Sequence, residues 1–398
     1  MKKIFQIELD RSRKFGLDIL RCIAILCVVI EHGGNFIPEK YRHYNEFLYF
    51  DGVSIFFVLS GFLIGGILIK LLQKNPVVDS KFLLDFWIRR WFRTIPAYFL
   101  VLFILIVLQV LFHRTSHFDS PVAIIYKWFI FSQNLVTPHP WFFPEAWSLC
   151  VEEWFYLLIP VIICLLIIFL KIKSRYSVLV TALFILVSIT LFRYFRFQEI
   201  TVANYEEWDI MFRKQVFTRL DSLMYGVIGA YISFYFNPFW KKYKRPMLFV
   251  GLILFLGAKY LLPLYTEVNG LYNCVFSFSV VSLGTLCLLP YLSDFKFSNP
   301  NAVNGSFYTG ITYISLISYS MYLLNYSLIQ VWIIDRIPWG SFMSSVALIV
   351  TVKYILFWAM VIALSILLYK YFEVPMTKLR DNPRWKKARV KPVINQVS

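Results

Sequence analysis

The chain reads as an all-α membrane protein, with about ten transmembrane helices in one bundle and a re-entrant or interfacial segment beside them. Of its 398 residues, 59% are hydrophobic and 16% charged. Apolar runs of about 20 residues, enough to span a bilayer core, recur along the whole length. The Lys and Arg residues cluster in short loops beside those runs, the placement that the positive-inside rule describes. The net charge of +17 therefore points to anionic membrane lipid and not to nucleic acid. No polar stretch is long enough to bury a core of its own, so residues 1–381 read as one membrane domain and 382–398 as a basic tail.

The first span, Lys14 to Asn35, carries Asp18, Arg21 and His32 inside it. A charge at the bilayer centre costs about 2.5–3.5 kcal/mol on insertion scales, so these residues should face protein. Arg21 and His32 are separated by about 16 Å of helical rise and almost three whole turns, so both lie on one face. Arg21 interrupts the apolar run and no small-residue cleavage site follows it, which excludes a cleaved signal peptide. The six cysteines lie in or beside apolar runs without C-x-x-C spacing and read as packing residues.

Lys2, Lys3, Arg11, Arg13 and Lys14 place the N-terminus on the cytoplasmic side. Span two, about Asp51 to Leu72, returns to Lys70 and Lys74. Phe82 to Arg93 reads as a basic amphipathic segment on the inner surface, followed by span three from Ile95 to Phe112. Pro121 to Leu135 is apolar but short and contains Lys127, Gln133 and Asn134; if it crossed, Lys171, Lys173 and Arg175 would fall outside, so it is the re-entrant or interfacial piece. Spans four (Ala146–Leu170), five (Tyr176–Tyr194), six (Val216–Phe236), seven (Met247–Leu264), eight (Leu271–Leu292), nine (Ile311–Ile334) and ten (Phe342–Tyr371) then leave both termini cytoplasmic. No internal repeat is visible.

This topology gathers His32, Asp51, Ser54, Ser148, Glu152, Glu153, Arg219 and Asp221 near the outer leaflet. Ser148, Glu152 and Tyr156 share a stripe at i, i+4, i+8 that can face His32. A histidine beside a carboxylate suits general-base chemistry on a hydroxyl; it also suits a proton relay or a structural pair. Asp18 and Arg21, at i, i+3, either neutralise each other or serve a ligand. On the opposite side, Asp85 can pair with Arg89, leaving Arg90 and Arg93 for a phosphorylated cytosolic ligand or for anionic lipid. His113 and His117 lack a third ligand type at metal spacing, so no metal is expected.

These residues resemble the acyltransferase-3 group of integral membrane O-acyltransferases over nearly the whole chain. LDILRCIAILCVVIEH is similar to its opening motif through Arg21 and His32, DGVSIFFVLSGFLI to its second-span signature and FWIRRWFRTIPAY to its cytoplasmic basic motif. WSLCVEEWFYLLIP, RLDSLMYG, SYSMYLLN and YKYFEVP resemble later blocks, in the same order. Four positions depart from the pattern: Cys22 where glycine is usual, Ser54 for an acidic residue, Trp154 for a polar one and Asn325 for a histidine. The chain resembles the stand-alone form, without a fused esterase-like domain.

The resemblance implies acetyl-CoA as a cytoplasmic acyl donor and a glycan or lipid-linked saccharide as acceptor, such as a polysaccharide or lipopolysaccharide at a bacterial inner membrane. It implies His32 as the catalytic group, Glu152 (or Glu153) as its acidic partner, and Arg21, Arg90 and Arg93 as donor contacts. Asp51, Ser54, Ser148, Tyr156, Arg219, Asp221 and Asn325 are the expected acceptor-side residues. The same chemistry with a succinyl or longer acyl group is one alternative. Another, from a different class, is a proton-coupled transporter of an anionic solute running past Asp18, Arg21, His32 and Glu152; the missing repeat counts against it.

Overall fold

In a computed structural model the residues described are 13–74, 78–112, 125–295 and 305–380. Among them the regular structure is helical, with no strand. Eleven main helices follow in order: α1 (Phe15–Gly33), α2 (Glu39–Leu48), α3 (Gly52–Lys74), α4 (Ser80–Phe112), α5 (Ala146–Ile168), α6 (Ser174–Glu199), α7 (Leu220–Tyr235), α8 (Lys244–Leu256), α9 (Ser277–Asp294), α10 (Ser306–Leu324) and α11 (Val346–Leu368). Among the described residues, six stretches are long and apolar enough to cross a membrane: Glu39–Lys74, Ser80–Phe112, Ala146–Ile168, Ser174–Glu199, Tyr272–Asp294 and Val346–Leu379. The chain is a multi-pass helical membrane protein. Helix α1 is not among the six because Asp18, Arg21 and Glu31 interrupt it, yet most of it is buried.

The main core of the bundle runs from Leu17 and Val28 on α1 through Val58 on α3, Val101 on α4, Phe155 on α5 and Leu223 on α7 to Met321 on α10, and a smaller cluster gathers Val202, Phe212, Cys274, Val275 and Phe278. Its closest crossing is α3 on α7. A Cβ on Gly61 would land on the backbone oxygen of Leu223, and one on Gly226 on the backbone oxygen of Val58. Glycine at both positions lets the two backbones touch, the small-residue packing common between membrane helices.

Helix α4 differs from the expected pair of a surface segment and a separate span. It is one helix of 33 residues, about 50 Å long at 1.5 Å per residue, so its basic half extends past a hydrocarbon core of about 30 Å. Pro96 lies inside it without ending it. Pro160 in α5 removes the amide that would bond the Tyr156 carbonyl, and the Trp87 indole donates to that oxygen instead, at 3.0 Å. The expected sixth span begins at Leu220, four residues later than Val216, after a 3-10 turn at Val216–Thr218.

Of the expected segment Pro121 to Leu135, residues 121–124 lie outside the described residues; the described part, 125–135, forms one helical turn, Tyr126–Phe129, and then irregular backbone. Such backbone is tolerated at depth only when protein satisfies it. Tyr98 donates to the Trp128 carbonyl (2.9 Å), Trp154 to that of Phe131 (2.8 Å), and the Asn134 amide to those of Trp147 (3.1 Å) and Lys214 (2.8 Å). His113, His117 and the tail from 382 lie outside the described residues.

The α3–α7 crossing gives a direct test. Gly226→Leu should lower the melting temperature of the detergent-solubilised protein or prevent its accumulation, since overpacking costs about 1–3 kcal/mol or more. Gly66→Ala, where an added Cβ meets nothing within 4 Å, should leave it unchanged. Equal melting temperatures for both variants and the wild type would contradict the crossing.

Candidate active site

His32, in the last turn of α1, points its Nδ1 at the Oδ1 of Asn325, with a short hydrogen bond between them. Asn325 begins a π-helical stretch, Asn325–Ile333, that continues α10; such stretches recur at functional sites because they turn side chains out of the α register. The Asn325 amide donates to the carbonyls of Met321 (2.8 Å) and Tyr322 (2.9 Å). Its oxygen is therefore the atom that faces the histidine, and Nδ1 must carry the proton. The second ring nitrogen, Nε2, keeps its lone pair, the tautomer a general base needs.

His32 lines a chamber of about 160 Å³ with Glu31, Trp141, Glu145, Tyr205, Arg213 and Tyr322 among others. Glu145, the residue before α5, accepts from the Ser327 amide (2.9 Å) and hydroxyl (2.5 Å) on the π stretch. Tyr322 donates to the Glu145 carbonyl at 2.8 Å, so Ser148, 2.6 Å from the Tyr322 oxygen, must donate to it. This chain ties α5 to α10 beside the chamber.

The carboxylates expected to hold His32 lie elsewhere, which corrects that expectation. Glu152 accepts from Tyr156 (2.8 Å) and Ser60 (3.1 Å), and Glu153 from Thr94 (2.8 Å). The stripe of Ser148, Glu152 and Tyr156 is real but faces a cavity of about 110 Å³ in the middle of the bundle. Arg21, Arg90, Arg93 and Tyr319 line that cavity as well, and the Arg90 guanidinium lies 5.5 Å from the Tyr156 ring centre. Toward the other end, Arg90, Arg93 and Leu63 also line a basin of about 520 Å³ whose charged lining, among the described residues, is basic: Lys14, Lys70, Arg89, Arg90, Arg93 and Arg380.

The basin, the cavity and the chamber thus form a series. Leu63, Arg90 and Arg93 border the first two, and Val53 and Tyr322 the last two. Arg21 stands on the cavity wall near Asp18, which also binds Arg13 and accepts from Ser315 at 2.6 Å. The expected pairing of Asp18 with Arg21 is present at 3.4 Å, and Asp18 shares itself between Arg21 and Arg13.

Four expected acceptor residues support the walls. Asp51 caps α3, accepting from the amide (3.1 Å) and hydroxyl (2.6 Å) of Ser54, and receives Arg213 at 3.3 Å. Arg213 at 3.3 Å and Arg219 at 3.9 Å flank its carboxylate. Arg219 donates to Ser54 at 2.5 Å and lies 4.4 Å from the Phe278 ring centre. Asp221 pairs with Arg193 at 2.7 Å, both fully buried. Ser54, Arg219 and Asp221 are completely covered by protein and line none of these spaces, so direct acceptor contact is corrected to a supporting place.

Glu145, Arg193 and Arg213 are absent from the sequence-derived set. Arg213 had the clearest signal, an acidic residue at i−4: Asp209 accepts from it at 3.0 Å on one turn. Glu145 and Arg193 had none, because each finds its partner on a distant helix.

The bundle is polytopic, and a cationic basin, a central cavity and a chamber holding a histidine adjoin one another inside it. The chain belongs to the acyltransferase-3 family, whose acyltransferase domain matches residues 14–370. It is 30% identical, over 79% of its length, to the "Putative O-acetyltransferase" of Staphylococcus aureus strain COL, covering 50% of that protein. It is 36% identical, over 40% of its length, to the peptidoglycan O-acetyltransferase OatA of Listeria monocytogenes, covering 25% of it. The chain therefore spans half or less of the length of these relatives. No solved structure matches it.

Glu145 supplies a pH test. Burial raises its carboxyl from 4.5 to about 7, against the Ser327 hydrogen bonds that lower it. The folded state thus binds the proton more tightly than the unfolded chain. The stability this contributes is complete below 4.5 and is lost as pH rises through about 7. Glu145→Gln removes that titration, so the wild-type melting temperature should fall relative to the variant's between about pH 5 and 8. Parallel curves would mean that Glu145 does not titrate there.

Proposed function

We propose that the protein is a transmembrane O-acetyltransferase that moves an acetyl group from acetyl-CoA to a hydroxyl of a glycan, either a cell-surface polysaccharide or lipopolysaccharide or a lipid-linked saccharide. The observation that carries this reading is the row of adjoining basin, cavity and chamber. In the proposed arrangement about ten spans cross the bacterial inner membrane with both termini cytoplasmic, which puts the basin at the cytosol and His32 at the outer side. The relatives' names support acetyl as the group, and the peptidoglycan named for one of them supports a glycan acceptor.

The phosphates of acetyl-CoA suit a basin of six cations, with Arg90 and Arg93 at its inner wall. From there the thioester arm can extend past Tyr156 and Arg21 toward Tyr322. The acceptor hydroxyl attacks the thioester carbonyl as His32 Nε2 takes its proton; the C–S bond then breaks, and the imidazolium protonates the departing thiolate, leaving an acetyl ester and free CoA. Asn325 holds the ring in the tautomer this requires. Direct transfer is favoured because no serine or cysteine in the chamber lining stands beside a base.

The test uses purified protein in sealed liposomes with the N-terminus outward, acetyl-CoA outside and an acetylatable glycan inside. Glycan-dependent release of CoA is expected. His32→Ala should reduce it by about 10²-fold or more with the protein still folded, and Arg90→Ala and Arg93→Ala should each raise the KM for acetyl-CoA about tenfold or more. Unchanged turnover in His32→Ala would sink the reading. Proton-coupled solute uptake without CoA release would replace it with the transporter.

A further inference from the structure

A second space lies beside the His32 chamber. It is a cleft of about 660 Å³ lined by Tyr49, Phe50, Tyr205, Trp208, Tyr272 and Phe278, together with Glu31, Glu46, Asp51, Arg213, Lys259 and Asn273. Glu31, Tyr205 and Arg213 line both spaces, so the two adjoin. The chamber alone, at about 160 Å³, falls below the roughly 300–1,000 Å³ typical of ligand pockets, whereas the cleft lies within that range. None of the chemistry derived above uses it.

Rigid rings and fixed polar groups make up its walls. Trp208 stacks on Phe278 with ring centres 5.4 Å apart and planes at 10°, and its indole donates to the Asn273 carbonyl at 3.0 Å. Tyr205 stands one turn earlier, its ring 5.3 Å from that of Trp208. Asn204 caps that turn by accepting from the Glu207 amide at 2.9 Å, so Tyr205 is held at the junction while remaining exposed. Lys259 fixes the far wall, donating to the Glu46 carbonyl at 2.6 Å.

We infer that this cleft holds a second, uncharged sugar ring of an oligosaccharide whose neighbouring ring presents its hydroxyl to His32. Aromatic faces beside hydrogen-bonding groups match a pyranose, which has an apolar face of C–H bonds and a rim of hydroxyls. Charge narrows the class. Arg213 is already shared among Asp51, Asp209 and Glu31, and Glu46 is a further carboxylate in the cleft. Of the cations that line the cleft among the described residues, Lys259 remains to offset them, so a uronic acid is disfavoured. The inference rests on the glycan reading above and deepens it: the acceptor is at least a disaccharide and is neutral at the second ring.

The test measures binding without donor, so that it does not depend on turnover. Titration calorimetry on the full chain in nanodiscs would compare N-acetylglucosamine, its β-1,4-linked disaccharide and tetrasaccharide, and a glucuronic-acid-containing disaccharide. The neutral disaccharide should bind at least tenfold more tightly than the monosaccharide and than the acidic disaccharide. Tyr205→Ala, at an exposed position that leaves the core intact, should abolish the gain from the second ring, while Tyr205→Phe should keep it. Equal affinity for one and two neutral rings, tighter binding of the acidic sugar, or no effect of Tyr205→Ala would overturn the inference. Length-dependent binding without acetyl transfer would preserve the cleft and remove the transferase reading; transfer without length-dependent binding would do the reverse.

Discussion

A charge buried among apolar helices must meet its opposite within the protein, and this requirement organises the bundle. Asp18 on α1 gathers Arg13, Arg21 and Ser315 of α10. Arg193 on α6 and Asp221 on α7 form a fully buried pair, with Ser279 of α9 as a third partner. Arg213 bridges to Asp51 before α3 and lies 3.9 Å from Glu31 on α1. Removing one partner from such a pair typically costs about 3–5 kcal/mol, because the other is left charged and unsolvated. These contacts set the relative rotation of helices whose surfaces are otherwise nearly uniform in hydrophobicity.

The departures from ideal helix serve the same interior. The π stretch Asn325–Ile333 turns Asn325 toward His32 and Ser327 toward Glu145. Phe131, at φ 54°, is a bulky residue in the left-handed region, and the carbonyl it presents is taken by Trp154. Each irregularity leaves backbone groups that must be satisfied without water, and a side chain from a neighbouring helix does so. The irregular segments are consequently pinned, and the polar spaces between them are walled by fixed groups.

That row of spaces is polarised along its length. One end is a basin that, among the described residues, has cations and no carboxylate in its lining; the other is a chamber and cleft where carboxylates and aromatic rings dominate. Under the function proposed above, a phosphorylated donor and a neutral saccharide would sort themselves to opposite ends by charge, with the histidine at the saccharide end. The acyltransferase-3 family to which the chain belongs fits an interior of this kind.

Much of this was legible in the sequence. Apolar length marked the helices, and the three-turn separation of Arg21 and His32 marked one polar face of α1. The Ser148, Glu152 and Tyr156 stripe also proved to be a single lining surface. Periodicity reports which residues share a face of one helix; it carries no information about which helix that face meets or at what depth. Glu152 therefore looked like the partner of His32 but bonds Ser60 and Tyr156, while Asn325 holds the histidine. Glu145, Arg193 and the aromatic cleft were invisible for the same reason: their contacts join segments far apart in the chain. The sequence by itself determined a helical membrane bundle and the face its charges share. Helix packing alone decided which charge meets which, because in an apolar surround that choice is made by close approach and pairing between helices.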